Sequence, residues 1–216
     1  MPFDLLILFT ALVSSCRYCG LLQASLAAHE RARRLDPNAK TSVQHTLLMA
    51  GEFARATAEA AGFGAASAAA LALAGHPDAI RLCRRNGESL RAANMPAFAR
   101  LNDELVALLE GEGDALALET AANALIDGGM RDPEGLFYIG LELAHFGRGD
   151  RAVELLSAAV DGGYFPYDAF NRLAWLDPLR QRNDFPEILR KAKLRHIQAR
   201  AAFTEAGSPA LLGIEN

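Results

Sequence analysis

The sequence predicts an all-α fold, an α-α superhelix of helical hairpins with a capping helix at its C-terminal end. The first reason is composition, because alanine and leucine dominate the 216 residues while β-branched residues are sparse. The second is a hydrophobic content of 51%, which indicates a packed core rather than a disordered chain. The third is a set of glycines that recur between helical segments, with small residues at fixed distances after them.

The clearest hairpin runs from Asp132, a suitable N-cap, to Gly163. Pro133 suits the first turn of its first helix, and apolar residues then follow at helical spacing. We expect this helix to end at Gly147 and a second helix to run from Arg151 to about Asp161. Small residues at four positions would let these helices and the next hairpin pack closely. They are Gly140, Gly147, Ala152 and Ala159.

Other turn glycines indicate further hairpins, five in all. The turn glycines are Gly20, Gly51, Gly75 and Gly147. The helix after the first of them is expected to stop at Pro37. The turn in residues 74–80 fits less well, because it is one residue shorter. Helical patterns also cover residues 96–109 and 114–126.

The C-terminal segment differs from the repeats. We therefore divide the chain into a hairpin array, residues 1–163, and a capping segment, residues 164–216. Pro166 interrupts the array, and a short helix is expected over residues 167–173.

Two further helix starts are predicted in the capping segment. Asp177 followed by Pro178 has the pattern of an N-cap and a first turn. Asp184 and Glu187 have the spacing of a capping box, which would start a long helix over residues 185–206.

These blocks together resemble the tetratricopeptide repeat (TPR). That repeat has a small residue midway along its first helix, a glycine at the turn and alanines five and twelve residues later, as in the clearest hairpin. Residues 17–22, 28–33, 175–180 and 206–213 are also similar to TPR regions that follow bacterial serine/threonine kinases, nucleotide cyclases or winged-helix regulators. The resemblance implies a protein-binding scaffold or sensory arm, although the aromatic positions of the repeat are largely leucine or alanine here. No kinase or cyclase motif is present in the sequence.

Net charge bears on the partner. A formal charge of -4 argues against a nucleic-acid binder that works by neutralising phosphates. Basic residues do gather near the C-terminal end, and we interpret them as a solvated helix face before a phosphate or membrane patch. They are Arg180, Arg182, Arg190, Lys191, Lys193, Arg195 and Arg200.

The N-terminal apolar run, residues 5–13, is too short to span a bilayer as a helix. A secretory signal also needs a positive charge before the run, where Asp4 stands instead. We therefore expect the first core helix of a repeat and no membrane partner. The alternative is lipoprotein-like export through Cys16, because residues 13–16 loosely resemble a cleavage box. The odd count of three cysteines favours a reducing cytoplasm.

The pair Cys16-x-x-Cys19 is the motif closest to a catalytic one. A redox dithiol would need a helix N-terminus after a strand, and zinc would need two more ligands. Gly62-x-Gly64 and Gly111-x-Gly113 lack the rest of a phosphate loop and are interpreted as turns. We therefore expect no enzyme, no cofactor and no metal, with a thiol- or metal-dependent enzyme as the lesser alternative.

A peptide or protein partner is expected in a concave groove lined by the first helix of the clearest hairpin. The predicted groove residues are Glu134, Phe137, Tyr138, Leu141 and His145. Exposed aromatic side chains on a concave surface suit peptide recognition. The alternative is that Phe137 and Tyr138 pack against a neighbouring hairpin. A further hypothesis is a structural arm of a bacterial signalling protein, a homo-oligomer that self-associates through residues 175–206.

Overall fold

The computed structural model describes residues 2–59, 72, 75 and 78–214, and in that part of the chain there is helix and no strand. The all-α prediction is therefore confirmed. The α-helices are α1 (Pro2–Tyr18), α2 (Leu22–Leu35), α3 (Val43–Ala50), α4 (Phe53–Glu59), α5 (Ala79–Ala92), α6 (Pro96–Leu109), α7 (Ala115–Asp127), α8 (Pro133–His145), α9 (Gly149–Asp161), α10 (Tyr167–Arg172), α11 (Phe185–Glu205) and α12 (Ser208–Leu212). A 3-10 helix, Ala174–Leu179, lies between α10 and α11.

Consecutive helices pack against each other as expected for hairpins. The pairs α1–α2, α3–α4, α6–α7 and α8–α9 are each in contact, and α5 packs on α6. The remaining predicted hairpin falls partly outside the described residues, as do Gly62-x-Gly64 and most of the turn predicted for residues 74–80.

The hairpin α8–α9 shows why small residues recur at fixed positions. The Asp132 carboxylate accepts a hydrogen bond from Gly135 N at 2.7 Å, which caps α8 as predicted. A methyl group on Gly140 would lie 2.9 Å from Leu156 Cγ and 3.3 Å from Ala152 O, so only glycine permits this contact. The alanines at 152 and 159 are fully buried. The close packing predicted from the sequence is confirmed at residues 140, 152 and 159. It is not confirmed at Gly147, where an added methyl group would meet no atom within 4 Å. The helix α9 starts at Gly149 rather than at the predicted Arg151.

The turns follow the predicted glycines. Gly20, Gly51, Gly75 and Gly147 all have positive φ, between +61° and +79°. Such a φ is strained for any residue with a side chain, which explains why glycine occupies these turns. Gly111 has φ +80° and also lies in a turn, between α6 and α7.

Of the two helix starts predicted in the capping segment, the one at Asp177 is wrong, whereas the one at residue 185 is correct but lacks the predicted capping box. Asp177 and Pro178 lie inside the 3-10 helix and do not begin a new one. The helix α11 has nearly the predicted length, but Asp184 does not cap it with its side chain. Its carboxylate instead accepts hydrogen bonds from Arg182 at 3.0 and 2.8 Å, and this ion pair replaces the capping box.

The largest hydrophobic core joins residues on both sides of position 163. Leu118 of α7, Leu141 of α8 and Leu156 of α9 belong to the same cluster as Phe170 of α10 and Ile188 of α11. The capping segment therefore shares its core with the hairpin array.

A second core brings the two ends of the described chain together. Phe9 and Val13 of α1 and Ala28 of α2 pack in one cluster with Leu212 of α12. Phe165 N also donates a hydrogen bond of 2.8 Å to Tyr18 O, at the end of α1. The N-terminal hairpin is thus held against the C-terminal helices.

Candidate functional site

Four of the five residues predicted to line a groove are buried. Glu134, Phe137, Tyr138 and Leu141 lie inside the protein, and His145 is exposed. The four buried side chains therefore do not form the exposed groove wall that was expected on α8. They pack against neighbouring elements, which was the alternative prediction. The His145 ring stacks on Trp175 with centroids 4.4 Å apart and planes at 12°.

The reason is that α8 is apolar around nearly its whole circumference. It packs on α9 and on the 3-10 helix, and it also meets aromatic residues from later in the chain. Phe137 lies 5.0 Å from Phe170 and 5.1 Å from Tyr164, measured between ring centroids. A helix that is apolar on all sides is normally enclosed, so a groove cannot be assigned to one of its faces from spacing alone.

Glu134 takes part in a buried ion pair with Arg17, which is 2% exposed. The guanidinium donates two parallel hydrogen bonds to the carboxylate, Nε to Oε1 at 2.8 Å and Nη2 to Oε2 at 2.9 Å. The remaining nitrogen, Nη1, donates to the Ser42 carbonyl at 3.1 Å and to its hydroxyl at 3.0 Å. We call this arrangement the Arg17–Glu134 joint. It fastens α1 to α8 and to the segment before α3.

Polar side chains surround the joint. His45 Nδ1 lies 3.4 Å from Glu134 Oε1 and 3.1 Å from the Tyr138 hydroxyl. Burial opposes ionisation of Glu134, but hydrogen bonds from His45 and Arg17 outweigh it and lower the pKa of the carboxyl to about 2. Because the guanidinium occupies both carboxylate oxygens, the group is not placed to act as a general base. The joint holds the fold together.

A cleft of about 900 Å³ lies between the start of α2, the α3–α4 turn, α10 and the helices α11 and α12. Its walls are apolar, with a few polar groups that converge on it. Apolar lining comes mainly from Leu21, Leu22, Ile197, Ala201, Phe203 and Ile214. Polar lining comes mainly from Gln23, Glu52, Asp168, Arg172, His196 and Arg200. We call this the α2–α11 cleft.

Two polar residues of the cleft are fixed by the main chain. Arg172 donates from Nη2 to Met49 O at 2.8 Å, and His196 Nδ1 donates to Cys19 O at 2.9 Å. The second contact requires α11 to approach Gly20 closely, since a methyl group there would lie 2.9 Å from His196 Nδ1. The walls of the cleft are therefore held in place by hydrogen bonds between segments far apart in the chain.

Arg200 differs from its basic neighbours. Arg182 pairs with Asp150 and Asp184, and Lys191 approaches Asp161 to 3.4 Å. The Arg200 guanidinium makes neither a hydrogen bond nor an ion pair with any residue that the structure describes.

Several other cations of this region are also engaged, in agreement with a solvated helix face. Arg190 pairs with Glu187, and Arg195 donates to the last carbonyls of α9. Arg180 donates to three main-chain carbonyls before the 3-10 helix. The guanidinium of Arg200 is thus available to a ligand in the cleft.

The cysteines are not activated. Burial raises the pKa of the Cys16 thiol to about 11 and that of Cys83 to about 12, and it also raises the pKa of Cys19. Nucleophilic or redox thiols have lowered pKa values, so these three residues have the properties of packing cysteines. Within the described ranges, no group of three His, Cys, Asp or Glu side chains is close enough to hold a metal ion.

Sequence reasoning missed both the joint and the cleft. Arg17 follows Val13 by one helical turn on an otherwise apolar helix, and an inward arginine there could have suggested a buried acid as its partner. The apolar residues Leu194 and Ile197, three apart on a charged helix, were a second usable signal. Of these two residues only Ile197 lines the cleft, and the cleft residues outside α11 come from four separate segments, so no spacing in the sequence marks them.

None of the helices in the described ranges combines the length and the apolar character needed to cross a membrane. The chain matches no known protein family, no curated protein and no solved structure.

Proposed function

We propose that this chain is a helical-repeat interaction module that binds a segment of a protein partner in the α2–α11 cleft. The observation that carries the proposal is an apolar side chain left exposed beside a concave surface. Ile197 is 45% exposed and lines the cleft together with Ala201, one turn later on the same face of α11. Exposed apolar groups next to a concave, polar-rimmed surface are typical of interaction sites.

The volume of the cleft limits what it can hold. A space of about 900 Å³ lies in the range that encloses drug-sized ligands, so it accommodates a few residues of a peptide. One apolar side chain of the peptide would pack on Ile197 and Ala201. An acidic group of the peptide would pair with Arg200, whose guanidinium has no partner in the described part of the chain.

The resemblance to tetratricopeptide repeats also supports a protein-binding function, although the binding surface proposed here differs from the groove expected on α8. Such repeats act as binding scaffolds, and the register of small residues in α8–α9 fits them. Because α8 is enclosed, we place the binding surface on α11 instead, where the helix has an open side.

The proposal is tested by selecting a displayed library of random peptides on the purified chain. Selected peptides are then measured by fluorescence anisotropy against three proteins: the native chain, Ile197→Lys and Leu116→Lys. Leu116 is a matched control, because it is an exposed leucine, 55% accessible, on the distant helix α7.

We expect peptides that lose at least tenfold in affinity on Ile197→Lys and are unchanged on Leu116→Lys. Selected peptides should also carry an acidic residue and bind Arg200→Glu weakly. A selection that enriches no peptide, or peptides indifferent to both Ile197 and Arg200, would contradict the proposal.

A further inference from the structure

Three charged side chains that line the α2–α11 cleft have charged groups without a partner among the described residues. They are Asp168 on α10, and Arg200 and Glu205 on α11. All three residues are exposed. Asp168 and Arg200 carry opposite charges on two helices that line one cleft, yet within the described ranges they do not pair with each other. Both charges are therefore open to a ligand that enters the cleft.

Asp168 lacks the partner that its own helix would normally supply. Arg172 stands four residues later, and an acid followed by a base at this spacing commonly forms an ion pair on a helix. Here the Arg172 guanidinium donates to main-chain oxygens instead, from Nη2 to Met49 O at 2.8 Å and from Nε to Asp168 O at 3.3 Å. The Asp168 carboxylate has no cation because this guanidinium fastens α10 to the end of α3.

Arg200 is isolated on α11 in a similar way. A base on a helix pairs most readily with an acid three or four residues away. The residues at these distances from Arg200 are His196, Ile197, Phe203 and Thr204. None of them is an acid, so a carboxylate for Arg200 has to come from the ligand.

Asp168 is held more firmly than Glu205, the other free acid of the cleft. The two residues after Asp168, Ala169 and Phe170, are fully buried in the largest core, which fixes the main chain that carries its carboxylate. Glu205 is the last residue of α11, and residues 204–207 are all exposed. Pairing with a preorganised group loses less conformational entropy, so Asp168 is the better placed acid to bind a cation.

A protein segment that fills the cleft would remove these charges from water. A charge buried without a partner is strongly unfavourable, so the segment has to bring a base for Asp168 as well as an acid for Arg200. The acid Glu52 makes no such demand, because Arg55 already pairs with it. A segment whose charged groups are all acidic would leave the Asp168 carboxylate facing a like charge or none.

We propose that Asp168 determines the specificity of the cleft by pairing with a basic residue of the bound segment. This inference rests on the proposed function and adds one requirement to it. The segment carries a lysine or arginine for Asp168, besides the apolar residue for Ile197 and the acid for Arg200. Two points of opposite charge also fix the direction in which the segment lies, because the reversed segment would bring like charges together.

The first test measures the peptides selected on the native chain against Asp168→Lys and Glu205→Lys by fluorescence anisotropy. Both variants make the same change of charge in the same cleft, so an effect of net charge alone would be common to both. The selected peptides should share a basic residue. Their affinity should fall by about tenfold or more on Asp168→Lys and by less than about threefold on Glu205→Lys, because surface charges that make no direct contact are screened.

A second test exchanges the charges on both sides of the contact. Replacing the basic residue of a selected peptide by glutamate should weaken its binding to the native chain and restore its binding to Asp168→Lys. If Asp168→Lys loses structure by circular dichroism, Asp168→Asn takes its place, since it keeps the shape of the side chain. That variant should distinguish the two peptides much less than the native chain does.

Two results would overturn the inference and leave the proposed function standing. One is a set of peptides that depend on Ile197 and Arg200 but share no basic residue. The other is an equal loss on Asp168→Lys and Glu205→Lys, which would mean that only the net charge of the cleft matters. A selection that enriches no peptide would overturn the proposed function and this inference together, so the two can be told apart.

Discussion

Arg17 and Glu134 place opposite charges in the core, 117 residues apart in sequence. Removing both ions from water costs several kcal/mol each, and their attraction offsets this cost only with good geometry and further hydrogen bonds. Both conditions hold here, since the pair is bidentate and the third guanidinium nitrogen has its own acceptors on Ser42. The ion pair therefore adds little to the net free energy of folding. Its main effect is to determine that α1 packs against α8 and the segment before α3.

We predict that Arg17→Met destabilises the protein by about 3–5 kcal/mol, because Glu134 would remain buried without its cation. The double variant Arg17→Met/Glu134→Leu should recover most of this loss, since it removes the unpaired charge. Urea unfolding of the two single variants and the double variant measures the coupling. Additive losses would show that the two side chains do not act as a pair.

Glu142 is a buried acid of the opposite kind. It lies two turns after Glu134 on α8, near buried Cys83, and its carboxylate has no hydrogen bond or ion pair with any described residue. Burial raises the pKa of its carboxyl to about 8. In the unfolded chain the same group ionises near its ordinary value of 4.5, so between these two values the folded state binds one more proton.

Glu142 should therefore make the folded protein less stable as the pH rises from about 4.5 to about 8, and the loss should then level off. We predict that Glu142→Gln, which imitates the protonated acid, stabilises the protein at pH 8 by on the order of 3–5 kcal/mol and much less at pH 5. Thermal unfolding at both pH values measures the difference. Glu88→Gln, an exposed acid on α5, is the control and should show no such dependence.

At the scale of elements, Gly140 sets the distance between α8 and α9. The Cβ of an alanine would lie 2.9 Å from Leu156 Cγ, and both helices are held by cores on their other sides. Gly140→Ala should therefore destabilise the protein by about 1–3 kcal/mol, although alanine is the better helix former. The measurement is chemical unfolding, with Leu156→Val as the second variant. The double variant should lose less than the sum of the two, because valine makes room for the added methyl group.

Local rules predicted most helix limits well. Proline and glycine signals placed α6 at its observed bounds, and Asp132 caps α8 as expected. The capping box predicted at Asp184 is not formed, because the Asp184 carboxylate accepts hydrogen bonds from Arg182 and not from the N-terminus of α11. Such a competition depends on which side chains the tertiary fold brings near, and local spacing does not record it.

The candidate sites were less predictable than the helices for a related reason. On α8 the apolar residues surround the helix, so periodicity could not indicate a free face, and four of the five predicted groove residues are buried. On α11 the exposed Ile197 interrupts a charged helix, and that signal was present in the sequence. The wall of the cleft opposite Ile197 comes from residues 21–23. Nothing local in the sequence indicates this wall, because it depends on the tertiary packing of the N-terminal hairpin against α11.

At the scale of the whole molecule, the contacts between the ends distinguish this fold from an open repeat array. In an open array each repeat touches only its neighbours, so damage at one end does not reach the other. Here Leu212 of α12 packs in the same cluster as Phe9, Val13 and Ala28 from the first hairpin. The Arg17–Glu134 joint adds a second connection between the same hairpin and α8.

The two ends should therefore open together. We predict that Leu212→Ala, which leaves a cavity in the second core, destabilises the protein by about 2–4 kcal/mol and increases amide hydrogen exchange in α1 and α2. Exchange in α6 and α7 should change little, because these helices belong to the larger core. Leu118→Ala in α7 is the matched control and should show the reverse pattern. Unchanged exchange in α1 and α2 of Leu212→Ala would mean that the N-terminal hairpin is stable without the C-terminal helices, as in an open array.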